Sequence, residues 1–316
     1  MTSPHIRPAA LDDAAAISAL SQSRIGVWQR LDSTGRVEDV PYAALTVYDR
    51  WLHGGPWMSV ETASIHLCQL LLGAGLLLVA EHDGRVIACA EAYVGREPEP
   101  FGDHLHLAHL LVDSAFATSG LETNLIHALG EQAAALKCAR LTASAVVGDA
   151  AASDLYARHG MAPLSLVKRY ALPARSGQGF YRVVDHANPA ADQIARWFMP
   201  VGRVSSARQQ WEALWPRTWD AIPEIRQQKV YRVGFSASGQ EALVHGQPLL
   251  YAPRTADLAL WSPKPLTAQM VTALRDWMHR EGFRTLLLTV TDETARALGP
   301  DAEPDGYAVE TYSLTL

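Results

Sequence analysis

Two short runs hold most of the side chains that could move protons. In "ACAEAYVG", Glu91 is an acidic residue inside an otherwise apolar strand pattern, and in "HLHLAHLLVD" the histidines His104, His106 and His109 share one apparent strand. Imidazole titrates close to neutral pH, which suits it to accepting a proton. Alternation places His104 and His106 on one face and His109 on the other, unless a bulge intervenes. The competing structural explanation for each is a solvated strand face or a satisfied core group. None of the 12 histidines falls in an HExxH or similar ligand pattern, so no metal site is expected. The cysteines Cys68, Cys89 and Cys138 lie far apart with no CxxC spacing, which points to reduced thiols in structural positions.

A third run, "FATSGLETNLIHAL" from Phe116 to Leu129, passes from loop to amphipathic helix around Gly120. A helix start presents unpaired N–H groups and the positive end of the dipole, a ready site for an anion. Ser119-x-x-Glu122 also has capping-box spacing, in which Ser119 Oγ accepts from the Glu122 N–H and the carboxylate returns to the Ser119 N–H. The helix could hold a ligand's phosphates or simply cap itself.

The elements that must position these residues are ordinary globular ones. With 316 residues, 48% hydrophobic and 19% charged, and a mean hydropathy of -0.02, the chain is long enough for two cores and unlike a disordered or membrane composition. A net charge of -6 offers no basic footprint for nucleic acid or anionic lipid, so neither is an expected partner. "MTSPHIRPAALDD" has no apolar leader pattern, and the longest greasy run, "LCQLLLGAGLLLVA", is short and broken by glycine, so the expected location is cytoplasmic.

Along the chain, a short strand precedes the helix "LDDAAAISAL", and Gly26 to Met58 mixes Trp28, Trp51 and Trp57 with turn residues, as a ligand-covering or core-packing segment would. After a helix over Val60 to Leu72, two apolar runs flank "HDGR", a hairpin signal. Strand "HLHLAHLLVD", helix "GLETNLIHALGEQAAALKCA", strand "RLTASAVVG", helix "AAASDLYARHG" and strand "SLVKRYALP" follow. "PARSGQG", Pro173 to Gly179, is the linker candidate and divides the chain into 1–174 and 175–316. The same order then recurs: strand "FYRVVD", a helix over Pro189 to Phe198, a Trp-rich helical stretch from Ser205 to Trp219, two strands around "SASGQ", strand "ADLALWS", helix "LTAQMVTALRDWMHREG", and strands "RTLLLTVTD" and "YAVETYSLTL". The fold class is α/β (α+β), in two similar halves.

From Ile6 to Pro173 this order resembles the GNAT superfamily of N-acetyltransferases, and three stretches carry the resemblance: "IRPAALDDAAAI", "LVDSAFATSGLETNLI" and "DAAASDLYARHGM". The last matches N-x-x-A-x-x-L-Y-x-x-x-G-F, with Asp149 at the Asn position, Tyr156 at the Tyr and Gly160-Met161 at the Gly-Phe pair. The resemblance implies tandem domains, each a mixed, mostly antiparallel sheet flanked by helices. It implies acetyl-CoA as co-substrate and a small-molecule amine or peptide as acceptor, in a monomer or homodimer. In the family the strand matched by Leu110, Leu111 and Val112 splays from its neighbour and hydrogen-bonds the pantetheine arm. The R/Q-x-x-G-x-G/A loop, which points backbone N–H groups at the pyrophosphate, falls on Ala117, Thr118, Ser119, Gly120, Leu121 and Glu122, with Thr123 next. Ala117 and Glu122 depart from that pattern, removing a polar contact and adding a carboxylate near the phosphates.

Acyl transfer to an amine needs a base for the amine, a donor for the thioester oxygen and an acid for the thiolate. Tyr156 matches the family's acid, a backbone N–H near Leu110 would polarise the carbonyl, and Glu91 is the first candidate base, followed by His106 and His109. Asp103 and Asp113 need only turn and cap roles. In the second half the counterpart loop "WSPKPLTAQM" carries Pro263 and Pro265 and no glycine, and the counterpart helix "DETARALG" has no tyrosine, so 175–316 reads as a degenerate repeat. The alternative is a silent member of the fold that binds or interacts without using CoA.

Overall fold

The structure is a computed structural model that describes residues 4–32, 34–177, 179–186 and 190–316. Its strands are β1 (His5–Pro8), β2 (Gln29–Leu31), β3 (Val37–Asp39), β4 (Leu76–His82), β5 (Arg85–Arg96), β6 (Asp103–Val112), β7 (Arg140–Val146), β8 (Ala162–Pro173), β9 (Tyr181–Asp185), β10 (Phe198–Val201), β11 (Tyr231–Ala237), β12 (Gln240–Leu249), β13 (Ala252–Ser262), β14 (Thr285–Thr291) and β15 (Glu303–Thr315). Its helices are α1 (Ala14–Gln22), α2 (Val47–Trp51), α3 (Val60–Gln69), α4 (Leu121–Ala135), α5 (Ala150–Arg158), α6 (Ala207–Leu214), α7 (Pro223–Arg226), α8 (Ala268–Arg280) and α9 (Asp292–Ala295). This is a mixed, mostly antiparallel sheet architecture flanked by helices, the fold class expected from the sequence. Among the described residues no helix is long and apolar enough to cross a membrane.

The chain falls into two compact units, the first made of Met1–Tyr93, Leu107–Ala135 and Arg217–Gln227. In it β1, β4 and β5 pair antiparallel, and β4 turns into β5 across Asp83-Gly84 with His82 opposite Arg85, the hairpin that "HDGR" implies. Alternate residues of β4 and β5, Leu77, Val79 and Cys89 among them, bury one sheet face against Ile17 of α1 and Ala63 and Leu67 of α3. Each such large side chain contributes about 1.5–3 kcal/mol. Arg7 ties β1 to the start of α1, with Nη1 2.7 Å from Asp13 Oδ2 and Nη2 2.8 Å from Glu81 Oε2. In the aromatic segment after α1 the chain forms a small β2–β3 hairpin that the sequence pattern did not reveal.

The second unit is made of Val94–His106, Leu136–Pro216 and Gln228–Leu316. Its sheet runs β7-β15-β8-β14-β13-β12-β11-β9, and of the pairings in that run only β13–β14 is parallel. The strand that closes each half therefore lies beside the other half: β15 sits between β7 and β8, and β8 between β15 and β14. One face of the sheet is covered by α8, whose Leu274, Trp277 and Met278 join Leu258, Leu260, Leu286 and Leu288 in one core. On the opposite side Trp211 and Trp215 of α6 and its end stack with centroids 4.5 Å apart, and Trp261 meets them edge-on.

Several expectations change here. The helix expected over Pro189 to Phe198 is a single 3-10 turn, Ala191–Ile194, and Phe198 opens strand β10; Pro189 lies outside the described residues. The Trp-rich stretch is divided into α6 and a turn at Arg217–Ala221. Gln178 of the linker candidate also lies outside the described residues, while Ala174 N donates to Arg284 O and Gly177 N to Asp276 Oδ1, both at 2.8 Å.

Candidate active site

Glu91 and Tyr93 are two residues apart on β5 and so project from the same face. The Gly55–Met58 turn brings Trp57 to that face, and α3, begun by Ser59 with its Oγ accepting from Thr62 N, brings His66. His109 comes from β6. The four side chains meet at one carboxylate. Trp57 Nε1 donates to Glu91 Oε2 at 2.7 Å and His109 Nδ1 lies 2.9 Å from the same oxygen. Tyr93 OH donates to Oε1 at 2.5 Å and His66 Nε2 lies 3.0 Å from it. A carboxylate offers about four lone-pair directions, and here all of them are taken.

Charge and tautomer follow from that geometry. Burial alone would raise the Glu91 pKa, but the positive charge that His109 and His66 can carry, together with their hydrogen bonds, holds it well below the usual carboxylate range. For His109 burial disfavours the imidazolium, yet the Glu91 charge and hydrogen bond outweigh it and raise the pKa above 6.5. An ionised carboxylate only accepts, so the hydrogen sits on His109 Nδ1 and on His66 Nε2, leaving Nε2 of neutral His109 an acceptor with no partner among the described residues. The side chain of Glu91 is 2% exposed and that of His109 44%. Behind this pair His66 packs edge-on against Trp57 at 4.9 Å, and Trp219 lies 6.2 Å from His66 and 4.4 Å from Trp51.

Of the candidate bases, the structure joins Glu91 to His109 and buries His106. His106 is 1% exposed, with Nδ1 3.0 Å from Thr142 Oγ1, and His104 is fully buried with Nδ1 3.1 Å from Gly102 O. Both are core groups, and His104 Nε2, 3.5 Å from Glu97 Oε1, has no hydrogen-bond partner among the described residues. Asp113 caps the turn after β6, accepting from Ala115 N at 3.0 Å, and pairs with Arg85, while Asp103 pairs with Arg196 at 3.0 Å.

The loop after Leu110, Leu111 and Val112 starts α4 one residue later than capping-box spacing requires. Gly120, at φ +76°, occupies the cap position, so Glu122 is the second helical residue rather than the third. Ser119 Oγ instead donates to Phe116 O at 2.5 Å, and Ser119 N bonds the same carbonyl at 2.9 Å. Ala117 N donates to Ser114 O, while Gly120, Leu121 and Glu122 show no partner for their N–H groups among the described residues. Thr118 and Gly120 are exposed, and Thr123 follows in the first turn of α4.

In the second unit Asp149 caps α5 by accepting from Ala152 N at 3.1 Å. Tyr156, on α5, has its OH 3.5 Å from Ser144 O and its ring 5.4 Å from that of Tyr312. Burial first, then the charges of Asp149 and Tyr312, push its pKa up to about 12, so the hydroxyl keeps its proton through the neutral range.

Residues 42–161 match the model of the acetyltransferase (GNAT) family. Over that span the chain is similar to the GNAT acetyltransferases. The matched span includes Glu91, His109, the Ala117–Thr123 loop, Asp149 and Tyr156. Over almost the whole chain the fold is similar to two solved structures. The GCN5-related N-acetyltransferase from Anabaena variabilis gives a TM-score of 0.60 at 10% identity, covering 98% of this chain and 72% of that one. The GCN5-related N-acetyltransferase from Kribbella flavida gives 0.55 at 12% identity, covering 98% and 71%. No curated protein matches the chain. Among the described residues no group of three or more His, Cys, Asp or Glu is arranged to hold a metal ion.

Within the matched span, sequence reading missed Trp57, His66 and Tyr93. Only Tyr93 had a local signal, since it shares a strand face with Glu91; the other two reach the carboxylate through the packing of α3 and the turn before it.

Proposed function

We propose that this protein is an acyltransferase that carries an acetyl or other acyl group from acyl-CoA to the amine of a small molecule or peptide. His109 accepts the proton, and Glu91 is the buried anion that positions it. The observation carrying this reading is the contrast between the saturated, enclosed Glu91 carboxylate and the half-exposed imidazole bonded to it at 2.9 Å. A carboxylate whose lone pairs are all engaged is a poor base for a substrate, so the part first given to Glu91 passes to His109.

His109 Nε2 takes the proton released as the amine nitrogen bonds the acyl carbon, and the resulting imidazolium is balanced by Glu91. As the carbon–sulfur bond breaks, Tyr156 OH gives a proton to the thiolate, the role its match to the family helix assigns. The N–H groups of Gly120, Leu121 and Glu122 suit the pyrophosphate, and a backbone N–H near Leu110 suits the thioester oxygen. The proposal includes the layout of a working half, 1–174, and a silent half, 175–316, as monomer or homodimer.

Calorimetric titration with acetyl-CoA tests the donor. The wild type is expected to bind, and Glu122→Ala to bind about two- to fivefold more tightly because a like charge near the phosphates is gone. No heat from either protein would end the acyltransferase reading. Tyr156→Phe is expected to lower kcat about 10- to 100-fold with KM for acetyl-CoA nearly unchanged, measured as thiol release over a panel of primary amines. Equal turnover by the variant would remove the acid role.

A further inference from the structure

The parallel pair β13 and β14 is hydrogen-bonded only from Thr255 opposite Thr285 to Leu258 opposite Leu288. Beyond that point β13 continues to Ser262 and β14 to Thr291 without pairing, and the two strands open into a wedge. The wedge is filled by the chain itself. β10 lies antiparallel along β13, with Phe198 opposite Ser262 and Val201 opposite Leu260, and on the other side Gly202 N donates to Thr289 O at 2.8 Å.

The filling segment is held by packing as well as by hydrogen bonds. The irregular register of β10 lets Met199 join the tryptophan cluster of α6 on one side of the sheet and Val201 the α8 core on the other. Gly202 adopts φ +81°, and a Cβ there would lie 2.7 Å from Leu258 O and 2.8 Å from Ala259 Cα, so only glycine permits this approach. Before β10, Arg196 N bonds Arg96 O at 2.7 Å; after it, buried Arg203 pairs with buried Glu97 and lies over the Phe101 ring. The start of α8, the helix that follows β13, is capped by Thr267 Oγ1, which accepts from Met270 N at 3.3 Å.

We infer that Phe198–Gly202 is a resident occupant of the second half's strand wedge, so that the protein takes one acyl-CoA per chain, in the first half. The occupancy stands on the geometry of the second unit alone; the single ligand rests on the proposed function.

Two measurements on the full chain separate these parts. Calorimetry with acetyl-CoA is expected to give one ligand per chain; two would overturn the inference. Hydrogen exchange is expected to show slow amides in Phe198–Gly202, unchanged by saturating acetyl-CoA. Fast exchange there, or exchange altered by the ligand, would overturn it even if the stoichiometry were one. If acetyl-CoA does not bind at all, the function reading fails, and slow exchange in β10 still upholds the occupied wedge. Gly202→Ala is expected to speed exchange of that segment at least about tenfold, and an unchanged rate would contradict the close approach to Leu258.

Discussion

Replacing Glu91 with glutamine is expected to slow acyl transfer at least about 100-fold and to move the acidic limb of the pH–rate profile to lower pH. His109 owes its raised pKa to the Glu91 charge; with a neutral amide in that place only the desolvation remains, and the imidazole loses its proton earlier. The variant also turns an amide NH2 toward groups that themselves donate, Trp57 Nε1 and His109 Nδ1 on one oxygen or Tyr93 OH and His66 Nε2 on the other. Such a mismatch in a buried site costs about 2–4 kcal/mol. The two ionisations give the stability difference a pH signature. Glu91, with a depressed folded pKa, contributes stability present above its unfolded value near 4.5 and lost as pH falls through the folded value. His109, with a raised folded pKa, contributes stability present below 6.5 and lost as pH rises through its folded value. The gap in Tm between wild type and variant should therefore be widest between these values. A pH–rate limb that does not move would show that Glu91 does not set the base.

The second large effect belongs to His109 itself. His109→Gln is expected to lower kcat/KM about 10²- to 10⁴-fold, the span usual for a general base. Well above pH 6.5, where the imidazole is neutral, stability should change little, because the side chain is half exposed and a glutamine amide can still donate to Glu91 Oε2. Affinity for acetyl-CoA in calorimetry should also be unchanged. Turnover at the wild-type rate with this variant would return the base role to another group or to water.

These two residues were legible because each broke a local pattern. Glu91 is a charge in an apolar strand, and His109 falls on the opposite parity from His104 and His106; alternation separated the two faces but not which of them is exposed, and it left His106 a candidate beside His109. The Asp83-Gly84 hairpin was equally local. What escaped was tertiary or off by one residue. Trp57 and His66 looked like any aromatic and any helical histidine until α3 placed them on the carboxylate. The capping box failed because Gly120, rather than Ser119, takes the cap position, a choice made by backbone conformation and invisible in the spacing. β10 is four residues long, and its pairing with β13 depends on a wedge that no local propensity encodes.

The place of β15 between β7 and β8 has a consequence for how this protein is made. β7 is synthesised more than 150 residues before the strand that pairs with it along Val309 to Thr315, and β8 must wait for the same strand. The first half therefore leaves the ribosome with a sheet edge that stays unmet until β15 has emerged. An arrested or clipped chain lacking β15 presents the open strand edges of β7 and β8 to its neighbours, the setting in which identical chains trade strands.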